Sequence, residues 1–420
     1  MNKSLHLTQN KIRPKILISA YACEPFKGSE PSAGWNIIKN LSKYYNITCL
    51  TRSNNDTFYH VPAVINELHN VQFIYYDLPA WIRYLKKRGL GINLYYYLWQ
   101  LGAFLKFRRN NFLDSIDIFH HVTFGRYWSP SFFFLYSCKN VWGPLGGGDR
   151  TPASFRPIYS KRGKLLDLLR NTTIKLFEQD PFLRLTIKKT TIALASTIQT
   201  ANRLEKIGCK NVIIKSQIVL DRTEFDYLSR FNPSFDNCTR FISVGRLVHW
   251  KGFALSIAAF AKFQNSAKFH CEYVIIGTGP EKKYLLKKIS EYKLQDLVQI
   301  IEPIERQELW DKFKDFQVFL NSSLHDQGPF VLVEAMAAGL PIITLDLGGS
   351  SIIVDKKSGF KIKAKNPEQA VEEFKNAMLA LQNRDVWLEK SIGAKQRIKE
   401  EFVSDRYYKS IEKVYHSLIR

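Results

Sequence analysis

The richest candidate site lies in residues 325–341, HDQGPFVLVEAMAAGLP, directly after a strand-like stretch. Gly328 lies at a loop-to-helix junction, so the first free N–H groups of the helix belong to residues such as Phe330 and Val331. Backbone donors and the helix dipole favour an anion at such a place. Glu334 comes about one turn later, where its carboxylate can accept two hydrogen bonds from vicinal hydroxyls such as a ribose. The simpler alternative is that Glu334 only complements the helix dipole.

A pair of cations follows a second strand-like stretch, in residues 245–252, GRLVHWKG. Gly245 ends the strand, and Arg246 and Lys251 follow it with no acid nearby to pair them. A guanidinium fork and an ammonium point charge suit a diphosphate, although two solvated surface cations are the alternative. Gly277, in IIGTGPE, lets a backbone approach a ligand, but a plain turn explains it equally well.

Two adjacent histidines, His120 and His121, end the strand-like stretch DIFHHVTF at 117–124. Neighbouring side chains of a strand point to opposite faces, so at most one of the two faces a cleft, and the other is expected in the core or behind the site. The sequence has no HExxH or Asp-x-Asp motif, and we expect no metal ligands.

The first glycine loop, GSEPSAG at 28–34, follows the first strand and opens a helix. Gly28 begins this loop in the position of a dinucleotide fingerprint. The loop lacks the G-x-G-x-x-G pattern, and no acid ends the second strand, which disfavours a dehydrogenase. The absence of G-x-S-x-G similarly disfavours a hydrolase.

Short apolar strands alternate with helical patterns on both sides of a polar segment at 228–239, LSRFNPSFDNCT. This alternation predicts an α/β protein with two doubly wound, Rossmann-like parallel-sheet domains that face a central cleft. We expect domains at 1–230 and 240–395 and a closing helix at 396–420. Ligands of such sheets bind beyond the carboxyl ends of the strands, where the motifs above lie.

The chain is strongly basic: its 420 residues include 61 Lys and Arg and 38 Asp and Glu, a net charge of +23. Basic residues and aromatic residues alternate in segment 83–109, and basic residues also dominate segment 156–189. Such segments suit an anionic membrane surface or a nucleic acid backbone, and a solvated basic surface is also possible. The N-terminus has no apolar stretch typical of a signal peptide, and the cysteines have no CxxC spacing, so we expect a cytoplasmic protein with reduced thiols.

Taken together, these motifs resemble a known family. The second half of the chain resembles the C-terminal domain of retaining glycosyltransferases of family 4, which have the GT-B fold. The motifs that carry this resemblance are, in order, GRLxxxKG, GxGP, an acidic residue separated by seven residues from E-A-M-A-x-G-x-P, and a glycine pair near 348. YACEPFKGSEPSAGWN, HHVTF, WGPLGGGD and LDLGG are similar to a bacterial polysaccharide-type subgroup. The resemblance covers residues 14–418.

The resemblance implies a role for each matching residue. Arg246 and Lys251 match the pair that binds the diphosphate of a nucleotide-sugar, and Glu334 matches the acid that holds the ribose. Asp326 stands beside the donor sugar, where the family usually has Glu. The remaining donor-side and catalytic positions are Gly28, Gly245, Gly277, the backbone from Gly328 through Phe330 to Val331, and one of His120 and His121.

Two departures from the family pattern affect the catalytic residues. Asp326 is one methylene shorter than the usual Glu, so its sugar contact is different or bridged by water. The family pattern D-x-x-H-x-H falls here on Asp117, His120 and Val122, and His121 comes one place early. The active histidine is therefore unassigned between His120 and His121.

The resemblance implies a nucleotide-sugar-dependent, retaining hexosyltransferase without an essential metal or cofactor. We expect it to extend a lipid-linked, lipopolysaccharide or surface-polysaccharide acceptor at the inner face of the plasma membrane, bound peripherally to anionic lipid. Two other functions are possible. The charge of +23 also suits a nucleic-acid-binding protein, although no recognition motif is present. A catalytically idle scaffold of the same fold is allowed by Asp326 and the shifted histidine.

Overall fold

The computed structural model describes most of the chain and contains two parallel sheets. The described residues are 13–25, 29–55, 66, 68–87, 91–235, 240–267 and 269–419. One sheet is built from the first half of the chain and the other from the second half.

The first sheet has seven parallel strands in the order β3-β2-β1-β4-β5-β6-β7. The strands are β1 (Lys15–Ser19), β2 (Asn46–Thr51), β3 (Val71–Tyr75), β4 (Ile118–His121), β5 (Lys139–Leu145), β6 (Ile192–Ala195) and β7 (Val212–Ile214). The helices described in this half are α1 (Ser29–Leu41), α2 (Ala80–Lys87), α3 (Ile92–Phe107), α4 (Lys161–Phe177), α5 (Pro181–Lys189), α6 (Ile198–Lys206) and α7 (Arg222–Leu228).

The second sheet has six parallel strands in the order β10-β9-β8-β11-β12-β13. The strands are β8 (Arg240–Val244), β9 (Glu272–Ile276), β10 (Val298–Ile301), β11 (Val318–Asn321), β12 (Ile342–Leu345) and β13 (Gly359–Ile362). The helices described here are α8 (Phe253–Gln264), α9 (Lys282–Glu291), α10 (Arg306–Lys312), α11 (Phe330–Ala337), α12 (Gly348–Ile353), α13 (Pro367–Ala380), α14 (Arg384–Glu401) and α15 (Ser404–Ile419).

Each sheet is covered by an apolar layer on both faces, which explains why its strands are almost continuously hydrophobic. On β4, Ile118 belongs to one layer and Phe119 to the other. On β11, Leu320 and Phe319 divide in the same way. Polar side chains can therefore gather only beyond the strand ends, and those ends carry the candidate site.

The last helix returns to the first sheet, as predicted. Helix α15 packs against α1 and β4. It begins at Ser404 rather than at the predicted residue 396, and Val403, just before it, pairs with Leu220 in a parallel bridge that separates it from α14. Residues 384–401 form a separate helix on the second half of the chain.

The aromatic residues of segment 83–109 lie mainly inside the protein. Tyr95, Tyr96 and Trp99 of α3 are at most 1% exposed and belong to the core of the first sheet. The prediction that these rings form a surface for lipid headgroups is therefore wrong. None of the helices described in the structure is long and apolar enough to span a membrane.

Candidate functional site

The ends of three strands meet at the carboxyl edge of the second sheet. Lys251 follows β8, Asp326 follows β11, and Gly349 follows β12. The Lys251 Nζ lies 2.5 Å from the Asp326 Oδ2, and the Gly349 N–H donates to the Asp326 carbonyl at 2.7 Å. A side chain at Gly348 would collide with that same carbonyl, so glycine allows this close approach. The edge therefore holds a lysine and an aspartate in fixed positions.

The Lys251–Asp326 ion pair corrects one expectation from sequence. We expected neither cation of the 245–252 loop to have an acid nearby, and for Lys251 this is wrong. Arg246 does remain exposed, and no hydrogen bond or ion pair reaches its guanidinium in the described part of the chain. The two cations thus differ: one is held by an acid, and the other extends freely from the strand end.

Helix α11 begins directly after the Asp326 loop. Pro329 is its N-cap residue, and no side chain from the described ranges caps the first turn. The Gly328 N–H makes a long contact of 3.4 Å with the Asp326 Oδ1. The N–H groups of Phe330 and Val331 therefore remain available to an anion, although whether they bind one stays a prediction.

Glu334 is buried in α11 and is held from α10. Its Oε1 accepts hydrogen bonds from the Arg306 Nε at 2.6 Å and the Trp310 Nε1 at 2.9 Å. Burial raises the pKa of Glu334, and the Arg306 charge opposes that rise. Both bonds fall on Oε1, so Oε2 is the oxygen left for a hydroxyl ligand. Sequence reasoning did not identify Arg306 as the partner of Glu334.

The glycines predicted on the donor side have different surroundings. Gly245 has φ 155° and lies beneath the Lys251 side chain. A side chain at Gly277 would come within 1.9 Å of the Gly245 carbonyl, so Gly277 is required for the packing of two loops. A donor contact by Gly277 remains a prediction. Gly28 lies outside the described residues.

Both histidines of β4 are buried, and each ring nitrogen has a partner. His120 Nε2 lies 2.7 Å from the Gly143 carbonyl, and its Nδ1 lies 2.6 Å from the Tyr415 hydroxyl of α15. Since Nε2 must donate to a carbonyl, Nδ1 accepts from the tyrosine. Burial lowers the pKa of His120 to about 4. His120 thus connects the first sheet to the closing helix.

His121 points to the other face of β4, as expected for neighbours on a strand. Its Nδ1 lies 2.9 Å from the Ser131 hydroxyl and its Nε2 lies 2.9 Å from the Tyr96 hydroxyl. Burial, followed by the neighbouring His120, lowers the pKa of His121 to about 3. A substrate contact by His121 would need one of these hydroxyls to move. The catalytic role of either histidine therefore stays a prediction.

The segment PLGGGD, which ends β5 and continues into the following loop, brings the first half of the chain to this edge. Gly146 lies against the Gln327 side chain, and a side chain at Gly146 would overlap it. Asp149 is 2% exposed, and no residue that the structure describes makes a hydrogen bond of good geometry to either of its carboxylate oxygens; the nearby Thr197 hydroxyl donates to Thr200. Burial raises the pKa of Asp149 to about 6, and Asp326 contributes to that rise. Asp149 is a site-facing acid that sequence reasoning missed, although a polar residue after a glycine run at a strand end could have indicated it.

Two further residues beside the site were also missed. His325 stacks on Trp250 with ring centroids 5.5 Å apart, and none of the residues described in the structure makes a hydrogen bond to its buried Nε2. Burial, followed by the nearby Arg170 charge, lowers the pKa of His325 to about 3. Arg170 extends from α4 and donates to the Gly147 carbonyl at 3.4 Å. Nothing in the sequence around Arg170 distinguishes it from a surface cation.

The arrangement offers cations and backbone donors for an anion, with acids beside them. In the described ranges, no three His, Cys, Asp or Glu side chains form a group that could hold a metal ion. The chemistry that these residues can perform is the binding of a diphosphate and the orientation of hydroxyl groups next to it.

Comparison with protein families gives a match for the part of the chain that builds this edge. Residues 226–391 match the family described as "Glycosyl transferases group 1". WcaL of Escherichia coli K12, whose name assigns it to colanic acid biosynthesis as a glycosyltransferase, is 28% identical over 232 residues, which are 52% of this chain and 56% of WcaL. The chain spans about half the length of the curated relatives it matches.

Solved structures match over nearly the whole chain and show the fold. The apo form of the lipopolysaccharide outer core galactosyltransferase WaaB superposes with a TM-score of 0.63 at 16% identity, covering 96% of this chain and 99% of WaaB. Anabaena HepE, solved in complex with UDP, gives a TM-score of 0.57 at 12% identity, covering 96% of this chain and all of HepE. The two parallel sheets and the returning C-terminal helix are the GT-B fold, which confirms the predicted fold class.

Proposed function

We propose that this chain, whose residues 226–391 match the group 1 glycosyltransferases, transfers a sugar from a nucleotide-sugar to a glycan acceptor in polysaccharide biosynthesis. The observation that carries the proposal is the meeting of Lys251 and Asp326 beside the uncapped start of α11. A cation, free N–H groups and an acid at one sheet edge match the charges and hydroxyls of a sugar diphosphate.

The cations act on the leaving group. Arg246 and Lys251 bind the diphosphate oxygens and stabilise the negative charge that grows as the bond from the anomeric carbon to the phosphate oxygen breaks. The electron pair of that bond goes to the diphosphate. The acceptor hydroxyl attacks the anomeric carbon from the same face and gives its proton to the departing phosphate oxygen, so the anomeric configuration is retained.

The acids orient the donor. Asp326, already close to the diphosphate cation, accepts a hydrogen bond from a sugar hydroxyl, and Glu334 offers Oε2 to the ribose while Arg306 and Trp310 hold Oε1. The first turn of α11, with Phe330 and Val331, donates to the phosphates. Gly245 and Gly277 have no side chains, so their loops can pack closely and leave room for the ligand above them. His120 and His121 hold the end of β4 in place on the acceptor side of the site, through their hydrogen bonds.

The names of the relatives bear on the acceptor. HepE, which shares only the fold, was solved with UDP, and WcaL and WaaB are named for the assembly of surface polysaccharide and lipopolysaccharide. We propose a lipid-linked or surface-polysaccharide acceptor, used at the inner face of the plasma membrane. The five cysteines of the described residues are free, in keeping with a reducing compartment.

The test is sugar transfer, or donor hydrolysis when no acceptor is known, from a panel of UDP-, GDP- and ADP-sugars. We expect Arg246→Ala and Lys251→Ala to lower kcat/KM by about 100-fold or more, because each removes a positive charge that stabilises the departing diphosphate. The matched control is Lys262→Ala, an exposed cation of α8 that pairs with Glu372. Equal turnover in all three variants and the unmodified protein would refute the diphosphate assignment.

A further inference from the structure

Helix α4 buries polar residues and exposes apolar ones. Its buried residues are Gly163, Asp167, Asn171 and Ile174, of which only the last is a large apolar residue. Its exposed residues include five leucines, each between 45% and 70% exposed: Leu165, Leu166, Leu168, Leu169 and Leu176. We call these five residues the leucine face. A soluble helix normally has the opposite arrangement.

The orientation of α4 is fixed by the polar residues on its inner side. Asn171 donates to Asp167 at 3.0 Å, and Arg170 reaches the Gly147 carbonyl beside the candidate site. At the start of the helix, Ser160 caps the Gly163 N–H and donates to Glu281 of the second half of the chain at 2.8 Å. Turning the leucine face inward would break the two bonds to other segments, from Arg170 to Gly147 and from Ser160 to Glu281, and would expose the Asp167–Asn171 pair. The leucines are therefore exposed because the polar side of the helix is held toward the site.

The leucine face is surrounded by positive charge. Lys161, Arg162, Lys164 and Lys175 of the same helix are exposed, and its one acid, Asp167, is buried. The following helix, α5, extends the surface with exposed Phe182 and Leu185 and with exposed Lys188 and Lys189. Apolar side chains bordered by cations form the kind of surface that lies in the headgroup layer of an anionic bilayer.

We propose that the leucine face docks the protein onto an anionic lipid bilayer. The leucines enter the boundary between headgroups and acyl chains, and the lysine and arginine side chains extend past them to the lipid phosphates. A lipid surface suits this composition better than a second copy of the chain, because protein interfaces are depleted in lysine at their centres and two copies of this face would bring like charges together. The net charge of +23 also favours binding to an anionic bilayer.

This inference rests on the proposed function in one respect: a lipid-linked acceptor requires the site to lie near a membrane. The inner side of α4 contacts the site through Arg170, and its outer side carries the leucine face. Docking by this helix would therefore hold the site one helix diameter, about 10 Å, from the headgroups. An acceptor that remains in the bilayer could then reach the site.

The test is flotation with vesicles of equal parts phosphatidylglycerol and phosphatidylcholine, compared with vesicles of phosphatidylcholine alone. We expect the full chain to bind the anionic vesicles at low salt and to bind about tenfold less in the triple variant Leu165→Gln, Leu168→Gln, Leu169→Gln. The matched control is Leu286→Gln, Leu388→Gln, Ile392→Gln, which removes three exposed apolar side chains from α9 and α14. This control should bind like the unmodified protein.

Two results would overturn the proposal. One is equal vesicle binding by the leucine-face variant and the control. The other is a lipid-free dimer, measured by light scattering, that the leucine-face variant abolishes while no protein binds vesicles, since the face would then join two copies. The thermal shift caused by nucleotide-sugars checks that the variant is folded and separates the two proposals. Vesicle binding by a protein that transfers no sugar would end the proposed function and leave the docking surface standing.

Discussion

The Lys251 ammonium lies 2.5 Å from the Asp326 carboxylate, although 75 residues separate them in the chain. Both side chains are mostly shielded from solvent, with 17% and 20% exposed. The cation proposed to bind the diphosphate is therefore partly neutralised by an acid of the same chain. Under this proposal a donor competes with Asp326 for the lysine, and the displaced carboxylate is left beside the sugar.

Removing the acid should strengthen nucleotide binding while it weakens catalysis. In Asp326→Asn, Lys251 no longer shares its charge, so we expect nucleoside diphosphates to bind about fivefold more tightly, a change near 1 kcal/mol. Turnover should fall, because the sugar loses a charged acceptor. Calorimetric titration and transfer rates measure the two effects, and Asp326→Glu, which keeps the charge, serves as the control. Weaker nucleotide binding by Asp326→Asn would contradict this account of the pair.

Arg306 should contribute to stability because its partner is buried. Arg306→Leu keeps the apolar contact with Trp310, whose ring lies 4.6 Å from the guanidinium carbon, but leaves Glu334 without its cation. We expect a loss of about 2 kcal/mol in the free energy of unfolding, less than for a fully buried pair because Arg306 is half exposed. Urea denaturation measures the loss. In the control, Arg222→Leu breaks the exposed pair with Asp226 and should change stability by less than about 0.5 kcal/mol.

The bond between α15 and β4 should be structural. Tyr415→Phe removes the hydroxyl that donates to the His120 Nδ1 and leaves a buried acceptor without a partner. We expect it to lower the free energy of unfolding by about 1–3 kcal/mol, whereas Tyr44→Phe, at an exposed tyrosine, should change nothing. Measured below the melting temperature, kcat should be unaffected. A large fall in kcat without a loss of stability would instead favour a catalytic His120.

The free energy of unfolding should fall at acidic pH, because the buried histidines resist protonation in the folded state. The pKa of His120 is lowered by burial from 6.5 to about 4, so the folded state excludes a proton that the unfolded chain binds. The stabilisation is complete above pH 6.5 and is lost as the pH falls toward 4, by up to about 3 kcal/mol for one such group. His120→Asn should lose less stability than the unmodified protein between pH 7 and 4 in urea titrations. His416→Asn, at an exposed histidine, should show the slope of the unmodified protein.

The alternation of strands and helices predicted both sheets and the edge on which the motifs lie. Each strand–loop–helix unit carries its own local signal, such as Gly245 after β8 or Gly328 before α11, and parallel sheets bring such ends together. Local pattern therefore sufficed to locate Lys251, Asp326 and Glu334 at one edge.

The partners of these residues could not be read from the sequence. Lys251 and Asp326 come from different units, and so do Arg306 and Glu334, and nothing in either local pattern indicates the distance between them. The exposed surface was misjudged for a related reason. Helices α3 and α4 both combine apolar and basic residues, but what each helix packs against decides which side is buried: the aromatic rings in α3, and Asp167 and Asn171 in α4.

The chain passes between the two sheets twice, and the two passages are bonded to each other. The Leu220 N–H donates to the Phe402 carbonyl at 2.8 Å, and the Ser404 N–H donates to the Leu220 carbonyl at 2.9 Å. Two separate linkers would let the lobes twist and slide, whereas two linkers bonded side by side leave rotation about one axis as the easy motion. A rotation about that axis would return the Asp149 loop to the same place near Asp326, so the bonded linkers preserve the register of the two lobes.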